Sequence, residues 1–168
     1  IAWMTFKLLA ERTVLATMHA QNLPIKWQEP EDWLYDDVWE PRSVYVIEAV
    51  SKLPQYGYGK RVLYVDKEGW IIPYSDSYDR AGELWKIWVN LWGFRKDAMP
   101  NSPIPPYEDE MPFLNGTVTF DIQLQHCTST GLPRTLANRG AGTFFNVGEQ
   151  MGVTEEFFTV AHLIASGR

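Results

Sequence analysis

The 168 residues read as a mainly β chain of the α+β kind, an antiparallel sheet followed by a short C-terminal helix. Runs rich in β-branched and aromatic residues, bounded by Gly, Pro and Asp, mark the strands. The pattern Asp-x-x-Gly occurs twice between such runs, at Asp66–Gly69 and Asp79–Gly82. After Gly152 the spacing changes to that of a helix.

The elements follow in chain order. Within residues 1–20, Phe6, Leu8, Leu9, Val14, Leu15 and Met18 partly fit a helical stripe, and "TVLATMHA" fits a strand equally well. Periodicity alone leaves both open in so short a segment. Gln21–Pro41 is loop-like, punctuated by Pro24, Pro30 and Pro41. Its carboxylates, Glu29, Glu31, Asp32, Asp36 and Asp37, interleave with Trp27, Trp33, Tyr35 and Trp39. A solvated surface explains them, because the regular Asp-x-Asp-x-Asp-Gly order of a calcium loop is absent.

Residues 43–51 and 60–65 read as strands. Residues 70–78 and 83–92 continue them, so that Lys60–Trp92 becomes a three-stranded meander. In each Asp-x-x-Gly unit the Asp side chain bonds N–H groups ahead of it, and the Gly is expected at positive φ. Pro73 lacks an N–H and belongs at a bulge or edge. In the third strand Trp85, Ile87, Val89 and Leu91 are expected on one face, with Trp88 among those opposite. Both faces are apolar or aromatic, so both are expected to be covered. Residues 99–113 form a Pro-rich loop. Val118–Ser129 alternates as one strand, with Val118, Phe120, Ile122 and Leu124 inward. A Gly-rich loop runs to Gly152. Residues 154–167 read as one helix, with Thr154 as N-cap and Gly167 as C-cap.

The totals restrict function. A net charge of −6 argues against sequence-independent nucleic-acid binding and against an anionic membrane surface as direct partner. Eight Trp, eight Tyr and eight Phe are an unusual aromatic load, which suits cores, interfaces and ligand walls alike. Cys127 is the single cysteine, so no intrachain disulfide or Cys-based zinc site forms. No apolar run reaches transmembrane length. The chain starts Ile-Ala-Trp, without an initiator Met, and reads as a processed or trimmed piece.

Chemistry is hard to find. His19, His126 and His162 sit in different elements without metal-ligand spacing, and no Gly-x-Ser-x-Gly elbow exists. Gly140-Ala141-Gly142 lacks the Lys-Ser of a phosphate loop. Asp76, Asp79 and Glu83 are the best carboxylate cluster for a metal or a hydrolase. The turn geometry explains Asp79 with Gly82, and Asp66 with Gly69, without a catalytic role. No catalytic residue, metal site or cofactor is expected.

Three stretches, residues 41–50, 60–88 and 155–168, resemble the C-terminal part of a bacterial envelope family catalogued as domain of unknown function number 1329. The family's strand motifs fall on Arg42, Val46 and Glu48, and on Lys60, Arg61, Tyr64 and Asp66. Its turn motif falls on Tyr78, Asp79, Gly82, Leu84, Trp85 and Lys86. Its closing motif falls on Phe158, Thr159, Leu163, Gly167 and Arg168, with Val160 where a Pro is usual. The family in turn is similar to lipoprotein carriers of the LolA/LolB type. That implies a curved half-barrel sheet with an apolar cavity for acyl chains, and a place in the periplasm or at the periplasmic face of a Gram-negative outer membrane. Members usually run more than twice this length, so residues 1–168 are expected to be a single domain or the C-terminal half of a larger one.

Three functions compete at this point. The first is a non-enzymatic binder or carrier of lipid or another hydrophobic ligand. Its wall is drawn from Trp70, Ile72, Tyr74, Trp85, Ile87, Trp88, Phe120 and Ile122. The second is a structural subunit that completes its sheet against another protein chain or an N-terminal half. The third and weakest is a hydrolase.

Overall fold

A computed structural model describes residues 3–22, 25–28, 35–97, 105–131, 149 and 153–167. Within them seven strands form one antiparallel sheet in sequence order. They are β1 (Met4–Ala16), β2 (Glu40–Ser51), β3 (Lys60–Asp66), β4 (Tyr74–Tyr78), β5 (Leu84–Arg95), β6 (Met111–Asp121) and β7 (His126–Gly131). The open choice for residues 1–20 resolves to strand. The expected meander of β3, β4 and β5 forms, with Leu63 opposite Ser75 and Ser75 opposite Trp88.

The sheet is curved. Beyond β1 the chain crosses to a strand that is not its neighbour: Trp92 N–H donates to Thr17 O at 3.0 Å, and Ala20 N–H to Trp92 O at 2.9 Å. The Tyr74 hydroxyl donates to Leu15 O on the way. This tie brings the ends of β1 and β5 together, over the face that carries Val44 and Leu91. Two packed clusters fill that face. One joins Val44, Val46 and Val62 with Tyr64 and Tyr78, and the other joins Leu91 and Val118 with Ile25 and Tyr35. Val44 and Leu91 are 0% exposed, and burying side chains of this kind contributes about 1.5–3 kcal/mol each. We call this the closed face.

Several expected boundaries move, each for a local reason. The expected strand 118–129 is two strands: Asp121 Oδ1 accepts from Leu124 N–H at 3.0 Å, and Gln125 takes φ 50°, which makes a hairpin at 122–125. β4 starts at Tyr74 rather than residue 70, because buried Pro73 has no N–H to donate and Trp70 sits at φ 54°. β6 starts at Met111, inside the expected Pro-rich loop, with Pro112 opposite Phe94. β2 starts at Glu40, three residues early. The single helix 154–167 is a 3-10 turn (Glu155–Phe158) followed by α1 (Val160–Ser166). Extended Thr159 separates them, and its hydroxyl, not that of Thr154, caps α1 by accepting from His162 N–H at 3.1 Å. Residues 99–104 of the Pro-rich loop, and the Gly-rich loop apart from Glu149, lie outside the described residues. So do Glu29, Glu31, Asp32 and Trp33 of the aromatic-acidic segment.

Candidate ligand-binding face

The opposite side of the sheet is built from the alternate residues of the same strands. One row crosses it from edge to edge: Leu8, Ile47, Leu63, Ser75, Trp88, Thr119 and Thr128. Along that row three aliphatic side chains give way to Ser75 and Trp88 and then to two threonines. Tyr45 and Val65 extend the aliphatic end on β2 and β3. Tyr45, Ile47, Leu63, Val65 and Trp88 are only half-buried, while Phe6, Leu8 and Leu15 on β1 are exposed. No buried core cluster lies on this side among the described residues. It is an open face.

The predicted wall residues divide between the two sides. Tyr74, Ile87 and Phe120 lie together on the closed face. Trp88 lies on the open face. Trp85 joins it there, against expectation: a bulge between Ser77 and Tyr78 breaks the alternation, and the Trp85 indole donates to Asp121 Oδ2 at 3.1 Å and packs on Tyr58. Trp70 is 70% exposed in the turn after β3, with its ring 6.0 Å from Tyr45. Ile72 precedes β4, and its carbonyl accepts from Asn90 Nδ2 and Trp92 Nε1. Ile122 is 46% exposed in the β6–β7 turn, off both strand faces. Beside it an open depression of about 510 Å³ is lined by Phe120, Asp121, Ile122, Gln125, His126 and Cys127. Sequence alternation left open whether Val44 and Val46 or Tyr45 and Ile47 extend the wall from the early strand, and it missed Leu63 and Val65; the register puts Tyr45, Ile47, Leu63 and Val65 on the face of Trp88.

Both Asp-x-x-Gly units turn the chain, by different means. Asp79 Oδ1 accepts from Glu83 N–H at 2.9 Å, and Gly82 takes φ 87° as expected. In the first unit Asp66 Oδ1 accepts from Glu68 and Gly69 N–H at 3.0 and 2.6 Å. The positive φ falls on Trp70 instead of Gly69. Asp66 is buried and doubly bonded to Arg42, at 2.9 and 3.0 Å. Burial alone would raise its carboxyl, but the Arg42 bonds and the turn N–H groups outweigh that and hold it below its usual range. Arg42 is raised in return, chiefly by its bond to Asp66.

Asp76 stands on the closed face between Val62 and Ile87. Burial raises its carboxyl above the usual range, and the Tyr64 hydroxyl donates to it at 2.9 Å. Tyr64 is pushed up to about 12, by burial first and by Asp76 second. No group of three His, Cys, Asp or Glu could hold a metal among the described residues. Asp79 is engaged by its turn and by Gln123 Nε2 at 2.8 Å. No helix among the described residues is long and apolar enough to cross a membrane.

Geometry thus defines a class: a curved, open antiparallel sheet of half-barrel form in which, among the described residues, one face is packed over and the other is not. The chain belongs to the protein family of unknown function DUF1329, whose model matches residues 1–163. Among solved structures it is similar to one described as an outer membrane lipoprotein-sorting protein domain from Vibrio parahaemolyticus. Identity is 18% and the TM-score 0.41, over 77% of this chain and 46% of that one. The chain therefore spans less than half the length of that structure. Among curated proteins none matches.

Proposed function

We propose that the chain is a non-enzymatic binder or carrier of a hydrophobic ligand, and that the open face is where the ligand lies. The observation that carries this is the contrast between the two faces. The chain packs its own residues over Val44 and Leu91 but leaves Tyr45, Ile47, Leu63, Val65 and Trp88 half-exposed beside exposed Leu8. A contiguous apolar patch of that kind marks a binding surface. An acyl chain laid on it would gain roughly 0.8 kcal/mol per buried CH₂. The proposal keeps the chain in the periplasm or at the periplasmic face of a Gram-negative outer membrane, a location that rests on the family resemblance. Mass spectrometry of organic extracts from gently purified protein tests it: a stoichiometric lipid is expected, and a lipid-free protein that also refuses added lipid would refute it.

One observation favours a second role. β1 is a thirteen-residue edge strand, paired only with β2 among the described residues. An edge this long is a template for another strand. A structural subunit completing its sheet there, against a second chain or an N-terminal half, would leave the open face as its contact surface.

A further inference from the structure

We propose that the small-residue strip of Ser75 and Ser77 on the open face, flanked by Arg61 and Trp88, is a headgroup site for an acidic amphiphile, one that takes a carboxylate or phosphate oxygen. The inference rests on the open face being the ligand surface and adds the chemical class of what lies there.

β4 places two serines between larger neighbours. Ser77 stands opposite Arg61 on β3 and Lys86 on β5, and Ser75 opposite Leu63 and Trp88. Both serines are buried. The Arg61 guanidinium reaches across from β3, donating from Nη2 to Ser75 Oγ at 3.3 Å, toward the strand that carries Trp88. Three atoms of this group are shielded from solvent without a hydrogen-bond partner: Arg61 Nε, Ser77 Oγ and Trp88 Nε1. Arg61 Nε and Trp88 Nε1 can only donate, and the Ser77 hydroxyl can donate as well. Buried donors are nearly always met by an acceptor. Three unmet on adjoining strands specify an acceptor with several lone pairs.

Charge narrows the choice. Arg42 is paired with Asp66, Lys60 with Glu48 at 3.6 Å and Lys86 with Asp121 at 3.5 Å. Arg61 has no carboxylate partner among the described residues, and the Tyr58 ring backs it at 5.6 Å from Cζ. A fixed guanidinium with donors beside it matches the oxygens of a carboxylate or a phosphate. Its place along the sheet fits too. The aliphatic half ends at Leu63 and the hydroxyl half begins at Thr119, so an acyl chain over Ile47 and Leu63 delivers its headgroup to Arg61 and Trp88.

Titration calorimetry tests this with four probes: dodecanoate, dodecyl phosphate, dodecanol and inorganic phosphate. Each is run, below its micellar concentration, on the chain, on Arg61→Met and on Trp88→Phe, with the fold of each variant checked by circular dichroism. The expected result is at least tenfold tighter binding of one or both anionic amphiphiles than of dodecanol. Arg61→Met should abolish that preference and Trp88→Phe should reduce it, the preference being read in each variant as the ratio of anionic-amphiphile to dodecanol affinity. Dodecanoate against dodecyl phosphate decides which anion is taken. Equal affinity for dodecanol and both anions, or a preference that survives both substitutions, overturns the headgroup site while leaving the apolar face as a ligand surface. Binding of inorganic phosphate alone, lost in Arg61→Met, would keep the anion site and remove the hydrophobic ligand. Failure of every probe removes both. Should Arg61→Met not fold, Trp88→Phe carries the decision alone.

Discussion

Asp66 does two jobs with one carboxylate, closing a turn and neutralising Arg42, and it is fully buried while doing them. Without Asp66, Arg42 keeps only exposed Glu68 at 2.7 Å and Glu40 at 3.9 Å, and the turn loses its N–H acceptor, so Asp66→Ala should cost up to about 3–5 kcal/mol in urea unfolding. Its folded carboxyl is depressed, so its contribution is complete above the ordinary carboxylate range and is lost as pH falls through the folded value. Asp66→Ala should therefore show a flatter acid limb than the parent; an equally steep limb would contradict the pairing. Asp76 carries the opposite sign. Its carboxyl is raised by burial, so the fold holds that proton more tightly than the unfolded chain does. Stability from this group is present in acid and falls as pH rises through the raised value. Asp76→Asn should stabilise the chain at neutral pH, with the gain vanishing in acid. A melting midpoint at pH 7 no higher than the parent's would count against the burial argument. At Gly82, φ 87° is strained for any β-branched side chain. Gly82→Val should then lower stability by about 1 kcal/mol or more, even though space around the position is open.

At the scale of elements, the strands were legible where alternation and turn chemistry agreed. The β3–β4–β5 meander follows from the two Asp-x-x-Gly units and the aromatic runs between them. It misled where one side chain redirected the backbone. Asp121 captured an N–H and broke a run that alternates well through Ile122 and Leu124, which carried Ile122 out of the predicted wall. A one-residue bulge did the same to Trp85, which is the extra, unpaired residue between Leu84 and Lys86 and so drops out of the alternation that Ile87, Val89 and Leu91 keep. β1 escaped assignment because its own bulge, between Leu8 and Ala10, shifts its alternation midway. That strand carries Lys7, Glu11 and Arg12 among exposed Phe6, Leu8 and Leu15, so charges blunt its edge only in part. Light scattering should find associated species of the isolated chain at high concentration, and Leu8→Lys should reduce them. A parent chain that stays monomeric throughout would show that the edge and its apolar side chains are self-sufficient.

Across the whole molecule, the decisive fact is that, among the described residues, packing is concentrated on one face of a two-sided apolar sheet. The family resemblance anticipated the curved sheet. The two apolar faces of the third strand led to the expectation that both sides are covered, whereas among the described residues only one is packed over and the other leaves Leu8, Ile47, Leu63 and Trp88 in partial contact with solvent. Which face is closed could not be read from composition, because it depends on the crossing from Thr17 to Ala20 that ties β1 to β5. Backbone bonds of that kind leave no residue pattern. Once the faces are sorted, Trp85 and Trp88 both report on the open one, beside Leu63 and Ile47. The most direct test is therefore their fluorescence, titrated with dodecanoate for the parent chain, Leu63→Asp on the open face and Ile87→Asp on the closed face. A saturable blue shift is predicted for the parent, retained in whatever fraction of Ile87→Asp folds and lost in folded Leu63→Asp. No response from the parent, or equal responses from the parent and Leu63→Asp, would contradict a ligand on the open face.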